Sequence, residues 1–355
     1  MLAVAEQSVI EATEEYERWL AKHVRIVHDD LERKHRLMRR DAFTFFRATY
    51  YRFVERFQQV APAVAAAPRV GAVGDLHVEN FGTWRDREGR LVWGINDLDE
   101  ADRLPYTIDL TRLATSVFLA VEAGRLVLSR SVIAASILAG YERGIEAGTT
   151  PVVMAERRRW LSTSFAPLLR EPRAFWQELA DLPEAGRRLT PAARVVLAGV
   201  APGKGWKFRL HRRTAGVGSL GRPRLVAVGE WDGALAARQL KGLPPPASRF
   251  TGGKGPLVRR VHYGDPWAAE NAGWVARRLS PDTAKLDLSR VDRKRADRRL
   301  LSLMGREVAH YHLRSRGGKQ AILADLAGRP SEWLAQAADA LADDVRADFD
   351  VWRRR

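Results

Sequence analysis

The sequence predicts a mixed α+β fold, and three observations support this prediction. Apolar residues recur at three- and four-residue steps over residues 8–60 and again from Thr107 to Gly148, as in helices that bury one face. Short strand-like runs rich in glycine follow from about residue 200. A chain of 355 residues has room for one large domain or two modest ones, with a sizeable core.

The first helical block contains an aromatic and basic run, "FTFFRATYYRFVERF", at residues 43–57. The aromatic residues keep the helical spacing, so we interpret them as core residues rather than as a platform for stacking bases. Pro62 and Pro68 then end the block, because proline cannot continue a helix.

A strand, a loop and a hairpin come next. "RVGAVGDLHVENFGTW", residues 69–84, is typical of a short strand that leads into a loop. "RDREGRLVWGINDLDE", residues 85–100, predicts a hairpin with its turn at Glu88-Gly89 and a strand over "LVWGIN". The helical period then returns, and we expect helices to continue to about residue 180.

The β-rich segment predicts several strands. Asp232-Gly233 indicates a hairpin turn, and "PLVRRVHY" (256–263) and "AGWVARRLS" (272–280) indicate two further strands. From about Leu288 helical patterns dominate again. We divide the chain into N-terminal helices (1–70), a helical region with two acidic motifs (71–195), a β-rich region (196–287) and C-terminal helices (288–355).

The chain is strongly basic, with 59 Lys and Arg against 43 Asp and Glu and a formal charge of +16. This balance favours anionic partners such as nucleotide phosphates or nucleic acid, although the same charge would also suit solvated surfaces. Without cysteine, the chain has no disulfide and no cysteine-ligated metal. We expect no secretory signal, because Glu6 comes early and no basic region followed by an apolar core begins the sequence. Charged residues interrupt even the most apolar stretch, so we expect no membrane span and predict a soluble, cytoplasmic protein.

Two acidic motifs contain the residues best suited to chemistry. "GDLHVEN" contains Asp75 and, five residues later, Asn80, and "INDLDE" contains Asp97 and Asp99. Phosphoryl transfer needs a carboxylate for the proton of the attacking group and oxygen ligands for Mg²⁺. Asp97 and Asp99 would share one face of an extended backbone. Carboxylates that cap turns are the alternative, but two such motifs joined by a hairpin favour a functional site.

These motifs resemble those of aminoglycoside phosphotransferases and related small-molecule kinases. "GDLHVEN" is similar to their H-G-D-x-H-x-x-N catalytic loop, and "INDLDEADRLPYTIDLTRLATS" is similar to their metal motif and the helix after it. Together the motifs match an uncharacterised bacterial domain-of-unknown-function family with a kinase-like signature. The resemblance implies a bilobal protein-kinase-like fold and a phosphotransferase that uses ATP and Mg²⁺.

The resemblance also implies residue roles. Asp75 would be the catalytic base, and Asp109 would brace the catalytic loop from the start of the next helix. His77 would orient Asp75 or contact the metal. Val73 replaces the first histidine of the family motif, and we expect Glu79 to be solvated. By the resemblance, Asn80 and Asp97 would be Mg²⁺ ligands. Asp99 is a further candidate metal ligand because it would share a face with Asp97.

A glycine-rich segment provides the rest of a kinase-like site. "GVGSLG" contains Gly216, Gly218, Ser219 and Gly221, and strand-like sequence lies on both sides of it, as in the cover loop of kinases. The next hairpin ends near Lys241, where a kinase lysine would pair with the α- and β-phosphates. We expect the nearby Arg238 to be a surface charge. Glu270 and Glu307 are candidates for the carboxylate that pairs with the lysine.

The order of these segments differs from that of ordinary kinases, in which the glycine loop precedes the catalytic loop. A circular permutation would account for this order, with the catalytic helical lobe before the β-rich lobe. "LLSLMGREVAHYHLRSRG", residues 300–317, resembles the helix that leads into the catalytic loop of small-molecule kinases. The N-terminal helices would then connect that helix back to "VGDLH".

Two other classes of function stay open. "GDLH" also resembles the start of a metallophosphoesterase motif, but no downstream "GNH" occurs. Scattered basic clusters would suit a non-catalytic protein that binds nucleotide or nucleic acid, although they match no helix-turn-helix or zinc-finger pattern. The favoured hypothesis is phosphoryl transfer from ATP to a small molecule or another hydroxyl acceptor, which the motifs do not identify.

Overall fold

The computed structural model describes residues 7–148, 151–154, 160–161, 168–186, 188–261, 264–288, 290, 298–315 and 317–355. These residues form a mixed α+β structure with sheets of two, three and five strands. The helices are α1 (Val9–Ala21), α2 (His28–Met38), α3 (Ala42–Ala48), α4 (Tyr50–Val60), α5 (Pro62–Ala65), α6 (Tyr106–Glu122), α7 (Arg130–Ala147), α8 (Pro172–Ala180), α9 (Pro191–Ala198), α10 (Arg298–His312), α11 (Gly318–Ala327) and α12 (Trp333–Arg353). The strands are β1 (Arg69–Ala72), β2 (Phe81–Arg85), β3 (Leu91–Ile95), β4 (Asp102–Pro105), β5 (Val152–Val153), β6 (Arg209–Arg212), β7 (Arg224–Trp231), β8 (Ala234–Gly242), β9 (Ala268–Asn271) and β10 (Trp274–Leu279).

The N-terminal block is four helices rather than one continuous stretch. Ser8 and Glu11 form a capping box at the start of α1. Asp41 starts α3 by accepting a hydrogen bond from the backbone N–H of Thr44 at 2.7 Å. The helical period was therefore predicted correctly, whereas the breaks at these caps were not. The aromatic run is core as predicted: Phe43 and Phe46 are completely buried.

Strand pairing places the two acidic motifs side by side. Strands β2 and β3 form the predicted hairpin, with Phe81 opposite Ile95. Strand β1 pairs with β4, with Val70 opposite Leu104, a pairing that the sequence did not reveal. Residues 73–80 connect β1 to β2 and residues 96–101 connect β3 to β4, so the two connecting loops lie next to each other.

The five-stranded sheet has the order β6-β7-β8-β10-β9, and all its pairs are antiparallel. One face of this sheet, called the outer face here, packs on α9, and its Leu240 and Ala276 are buried against Val196 of that helix. Side chains alternate between the faces of a strand, so Lys241 points to the other face. There it lies between Arg224 and Val275 on the neighbouring strands.

One predicted strand is wrong. Residues 256–261 of "PLVRRVHY" have no strand structure, and its last two residues lie outside the described part of the chain. The backbone N–H of Arg260 donates to the Glu270 carboxylate at 2.9 Å, and its guanidinium donates to the Pro244 carbonyl at 2.5 Å. Side-chain contacts therefore take the hydrogen bonds that a strand neighbour would use. The helices expected up to residue 180 are also interrupted, by β5.

The C-terminal helices pack with the N-terminal ones into a single helical body. Arg52 Nε lies 2.9 Å from Asp348 Oδ2, and Arg56 Nη2 lies 2.6 Å from Asp344 Oδ1. Helices α7 and α10 approach closely at Gly140, where a Cβ would lie 1.9 Å from the Ser302 carbonyl oxygen. Within the described residues, no helix combines the length and the apolar character that crossing a membrane requires.

Candidate functional site

The loop that carries Asp75 is held by a buried carboxylate at the start of α6. Asp109 accepts hydrogen bonds from the backbone N–H groups of Val73 at 2.7 Å and Gly74 at 2.8 Å. His312 of α10 contacts the same carboxylate, with its Nε2 2.9 Å from Oδ2. Asp109 thus lies where the resemblance to small-molecule kinases placed a bracing residue. The contact from His312 was not predicted.

One oxygen of the Asp75 carboxylate is held by hydrogen bonds, and the other faces open space. Arg112, which is completely buried, donates to Asp75 Oδ1 from Nε at 3.0 Å and from Nη2 at 2.5 Å. The guanidinium stacks on Phe46, 3.9 Å from the ring centroid. Oδ2 points toward Gly218, where a Cβ would lie 3.5 Å away. Burial raises the pKa of Asp75 to about 6 against the opposing effect of Arg112, which suits a general base near neutral pH.

Arg112 was missed in the sequence. Its position in the sequence could have indicated it, because Arg112 follows Asp109 by one helical turn in a largely apolar helix. An arginine in that position has to find a carboxylate, and the loop next to the helix provides one.

Asn80 links the two acidic loops. Its Nδ2 donates to the backbone carbonyls of Asp75 at 3.1 Å and Asp97 at 3.0 Å. Its Oδ1 is buried and has no hydrogen-bond partner among the described residues. An orphaned amide oxygen beside carboxylates has the donor chemistry that Mg²⁺ prefers, so this residue fits the expected ligand set. The described residues contain no group of three or more His, Cys, Asp or Glu side chains placed to hold a metal ion.

Asp97 and Asp99 lie against three cations. Lys241 contacts Asp99 Oδ2 and lies 3.6 Å from Asp97 Oδ2, while Lys285 lies 3.0 Å from Asp97 Oδ2. Arg222 lies 3.7 Å from Asp99. Burial would raise the pKa of Asp97, but the two lysines hold it well below its usual range. Burial and the charge of Asp97 raise the pKa of Asp99.

The glycine-rich segment lies over the acidic loops as one turn of 3₁₀ helix, Val217–Ser219. It lines the same cavity as Asp75, Asn80, Asp97 and Asp99. A Cβ on Gly218 would lie 2.8 Å from the Arg47 carbonyl oxygen, so the backbones of the turn and α3 approach closely. Gly221, at the other end of the segment, accepts a hydrogen bond from the backbone N–H of Val27 at 2.9 Å. N-terminal helices therefore hold the turn in place.

Two cavities meet at Asp97 and Asp99. One has a volume of about 550 Å³, and its lining includes Asp75, His77, Asn80, Gly216, Gly218, Ser219 and Lys285. The other has a volume of about 730 Å³, and its lining includes Trp84, Lys241, Val261, Trp267, Val275 and Arg277. Of the predicted site residues only Gly221 lines neither cavity, and it ends the turn that does.

Three arginines that the sequence analysis did not select lie at the inner face of the five-stranded sheet. Arg213 and Arg224 donate to Gln239 Oε1 at 3.3 and 3.2 Å, and Arg277 donates to Asn96 Oδ1 at 3.1 Å. These oxygens carry no charge, and Asp97 and Asp99 offset the charge of Arg224 only from a distance. Burial and the charge of Arg277 lower the pKa of Arg224 to about 10. The sequence signal was strand alternation, which puts Arg224, Gln239, Lys241 and Arg277 on one face.

Two residues expected at the surface are buried. Glu79 pairs with Arg47, whose Nη1 lies 2.5 Å from Oε2, and accepts a hydrogen bond from the Leu288 N–H at 3.1 Å. Arg238 contacts the Val200 carbonyl and donates to the Ala237 carbonyl at 2.9 Å. Both expectations were wrong because partners distant in sequence satisfy these charges inside the fold.

The remaining predicted residues have clear positions. His77 is buried, and its Nδ1 has no hydrogen-bond partner among the described residues. Burial and the charge of Arg47 lower the pKa of His77 well below its usual value, so the ring is neutral. Neither glutamate suggested for Lys241 contacts it: Glu270 binds Arg260, and Glu307 lies beside Gly94. Asp97 and Asp99 are the carboxylates at this lysine.

Comparison with known proteins gives one match. Residues 25–164 match the sequence model of a family described as an uncharacterized protein conserved in bacteria (DUF2252). The matched segment contains both acidic loops and α6, and it ends before the five-stranded sheet. No curated protein and no solved structure gave a match.

Proposed function

We propose that this protein is an ATP- and Mg²⁺-dependent phosphotransferase with a hydroxyl acceptor. One observation carries the proposal: Lys241, on the sheet, contacts Asp99 and approaches Asp97 in the loop beside Asp75. A phosphate-binding lysine, metal-binding carboxylates and a general base are the groups that phosphoryl transfer needs within one cleft.

The acidic loops would hold the metal. Asn80 through its unpartnered Oδ1, together with Asp97 and Asp99, supplies the oxygen ligands, and bound Mg²⁺ would neutralise charge on the phosphates. Lys241, Lys285 and Arg222 balance the charge of these carboxylates in the structure.

The sheet would hold the nucleotide. Arg224, Lys241 and Arg277 present positive charge on its inner face. A phosphate would bind Arg224 and Arg277 more favourably than the neutral side-chain oxygens that they contact in the structure. Arg224 Nη2 donates to Ser219 Oγ at 2.5 Å, which connects this charge to the glycine-rich turn. Trp84 and Trp267 line the same cavity as Lys241, and a base would find an apolar surface there.

Asp75 would accept the proton of the attacking hydroxyl. The hydroxyl oxygen forms a bond to the γ-phosphorus, the bond from that phosphorus to the bridging oxygen breaks, and the proton moves to Asp75 Oδ2. Arg112 holds Oδ1, and this contact orients Oδ2 toward the cleft.

Titration calorimetry of ATP with MgCl₂ tests the proposal. We expect the wild-type protein to bind ATP, and Asp97→Asn to weaken this binding at least about tenfold, because a metal ligand is lost. Asp343→Asn is the matched control, since Asp343 is an exposed residue of α12 that pairs only with its helical neighbour Arg346 among the contacts described. Absence of ATP binding in the wild type, or equal affinity in Asp97→Asn, would refute the proposed site.

A further inference from the structure

A small side cavity extends from the cleft at Asp75 into the N-terminal helices. Its volume is about 230 Å³, and Asp75, Glu100, Gly218 and Arg222 line both it and the cleft. Arg47 of α3 also lines both, and the remaining lining residues come from α1–α4: Tyr16, Lys34, Ala48, Tyr50 and Tyr51. Part of this volume is open to the cleft, so the enclosed space admits a compact chemical group rather than a whole ligand.

Lys34 brings an unbalanced charge to this cavity. Helix α2 is otherwise highly polar, and Lys34 and Met38 are its two buried residues. Among the described residues no carboxylate lies within ion-pair distance of the Lys34 ammonium, and its nearest recorded contact is the Tyr51 ring, 5.8 Å from the centroid. Burial lowers the pKa of Lys34 to about 8, so the side chain still carries its charge at neutral pH, and an anion beside it would offset the cost of burying that charge.

The neighbouring carboxylates already have other partners. Glu17 Oε1 lies 2.6 Å from His35 Nε2, and Glu100 Oε1 accepts from Arg222 at 2.6 Å. Asp75 is held by Arg112. Lys34 is therefore the cation of this cavity whose charge is least compensated.

A second group in the cavity lacks a partner. The Tyr50 hydroxyl is buried and has no hydrogen bond among the described residues, and Tyr50 is 4 % exposed. Its ring packs against the Arg112 guanidinium, 4.9 Å from the centroid, which fixes its position next to Asp75. Burial raises the pKa of Tyr50 well above its usual value, so the hydroxyl keeps its proton and can donate.

We propose that this cavity binds an anionic group of the acceptor, either a carboxylate or a phosphate, while the acceptor's hydroxyl lies at Asp75. This inference rests on the proposed function, because it assigns Asp75 to the acceptor. It also separates the protein from the enzymes that its loops resemble: a cationic aminoglycoside would bring a second positive charge to Lys34, whereas an anion pairs with Lys34 and accepts from Tyr50.

Anion binding is tested directly by calorimetry with inorganic phosphate and, separately, acetate. The nonhydrolysable analogue AMP-PNP and MgCl₂ are present throughout to fill the nucleotide side of the cleft. We expect the wild type to bind at least one of the two anions, and Lys34→Met to bind it at least about tenfold more weakly. Lys22→Met, at an exposed position after α1, is the matched control and should bind as the wild type does. Absence of binding in the wild type, or unchanged binding in Lys34→Met, would overturn the proposal.

Folding of the variant is checked by its thermal unfolding. Replacing an unpaired buried ammonium with an apolar side chain of similar length should leave the Tm unchanged or raise it, so lost anion binding would not reflect unfolding. Transfer from ATP to glycerol, glycerate and glycerol 3-phosphate then distinguishes the two anions: use of glycerate supports a carboxylate, and use of glycerol 3-phosphate supports a phosphate. Preference for glycerol would contradict both. If ATP does not bind but anion binding depends on Lys34, the proposed function fails and the anion site stands.

Discussion

Arg112 shows how one buried side chain prepares the reactive group of another. The guanidinium binds a single oxygen of Asp75 and stacks on Phe46, so the carboxylate cannot rotate freely. The second oxygen is left facing the cleft. Because burial raises the pKa of Asp75 in spite of this arginine, the group can both lose and regain a proton near neutral pH.

Asp75→Asn should retain the fold and nucleotide binding while turnover falls about 10²- to 10⁴-fold, the usual contribution of a general base. Asparagine keeps the shape of the side chain and still offers Arg112 an acceptor. The measurement is ADP formation with a working acceptor, beside calorimetry with ATP and MgCl₂, and Asp343→Asn is again the control. Turnover equal to that of the wild type would remove Asp75 from the mechanism.

At the scale of elements, the glycine-rich turn depends on the helix beneath it. Gly218 lies so close to α3 that a methyl group would be 2.8 Å from the Arg47 carbonyl oxygen, a backbone atom that cannot move independently. The turn is therefore positioned by the N-terminal helices as well as by strands β6 and β7.

Gly218→Ala should displace the turn and weaken ATP binding at least several-fold, because donors at the cleft lose their alignment. Gly199→Ala is the matched control, since a Cβ there would make only ordinary contacts, the nearest at 3.5 Å. Both affinities are measured by calorimetry with ATP and MgCl₂. Equal affinities for the two variants would mean that the turn does not contribute to the nucleotide site.

Helix α10 buries a carboxylate against β3. Glu307 is 4 % exposed, and its Oε1 has no hydrogen bond among the described residues. A Cβ on Gly94 would lie 2.7 Å from its Oε2, so the carboxylate lies directly against the backbone of β3. Burial raises the pKa of Glu307 to about 8 from an ordinary value of 4.5. Glu307 is therefore protonated in the folded protein at neutral pH.

This buried acid should make stability depend on pH. Between pH 4.5 and 8 the folded state holds a proton that the unfolded chain has lost, so the free energy of unfolding falls as pH rises, by up to about 1.4 kcal/mol per pH unit. Glutamine does not titrate, so Glu307→Gln should flatten the dependence of the unfolding free energy on pH and raise the Tm at pH 8. Glu15→Gln, at an exposed position, should leave the slope unchanged. Identical pH profiles of Tm for wild type and Glu307→Gln would show that Glu307 does not titrate in this range.

At the scale of the whole molecule, ion pairs connect the β-rich region to the second acidic loop and to strand β4 after it. Arg249 Nη2 lies 2.5 Å from Asp102 Oδ1, and Arg222 Nη2 lies 2.6 Å from Glu100 Oε1. Lys241 adds the contact to Asp99. The cleft is thus bounded on one side by the sheet and on the other by the helical body, and a ligand in it would contact both.

AMP-PNP with MgCl₂ should slow amide hydrogen exchange on both sides of the cleft, in β8 and in residues 73–80 and 96–99. The physical reason is that a ligand bridging the two parts stabilises both against local opening. Helix α12 serves as the internal control, because the cavity linings do not include it. Protection confined to one side would show that the two parts do not form one nucleotide site.

Local patterns predicted much of the secondary structure and the residues of the acidic loops. The helical period, the β2–β3 hairpin and the buried aromatic run all followed from spacing and turn chemistry over a few residues. The breaks between helices α1 and α4 were not predicted. At each break the chain can either start a new helix at a capping residue or continue the old one, and neither the helical period nor the composition shows which is favoured. The strand expected at residues 256–261 was wrong because Arg260 bonds to distant groups. The kinase-like fold, the permutation and the domain boundaries stay predictions.

The sequence by itself determined which groups were available: an aspartate and an asparagine in one loop, two aspartates after a hairpin, a glycine-rich turn and a lysine. Only the tertiary structure decided what those groups face. The β1–β4 pairing joins the acidic loops, α6 brings Arg112 to Asp75, and α2 brings Lys34 to the same cavity. The reason is physical: periodicity and turns depend on neighbours along the chain, whereas burial and charge pairing depend on partners that folding alone brings together.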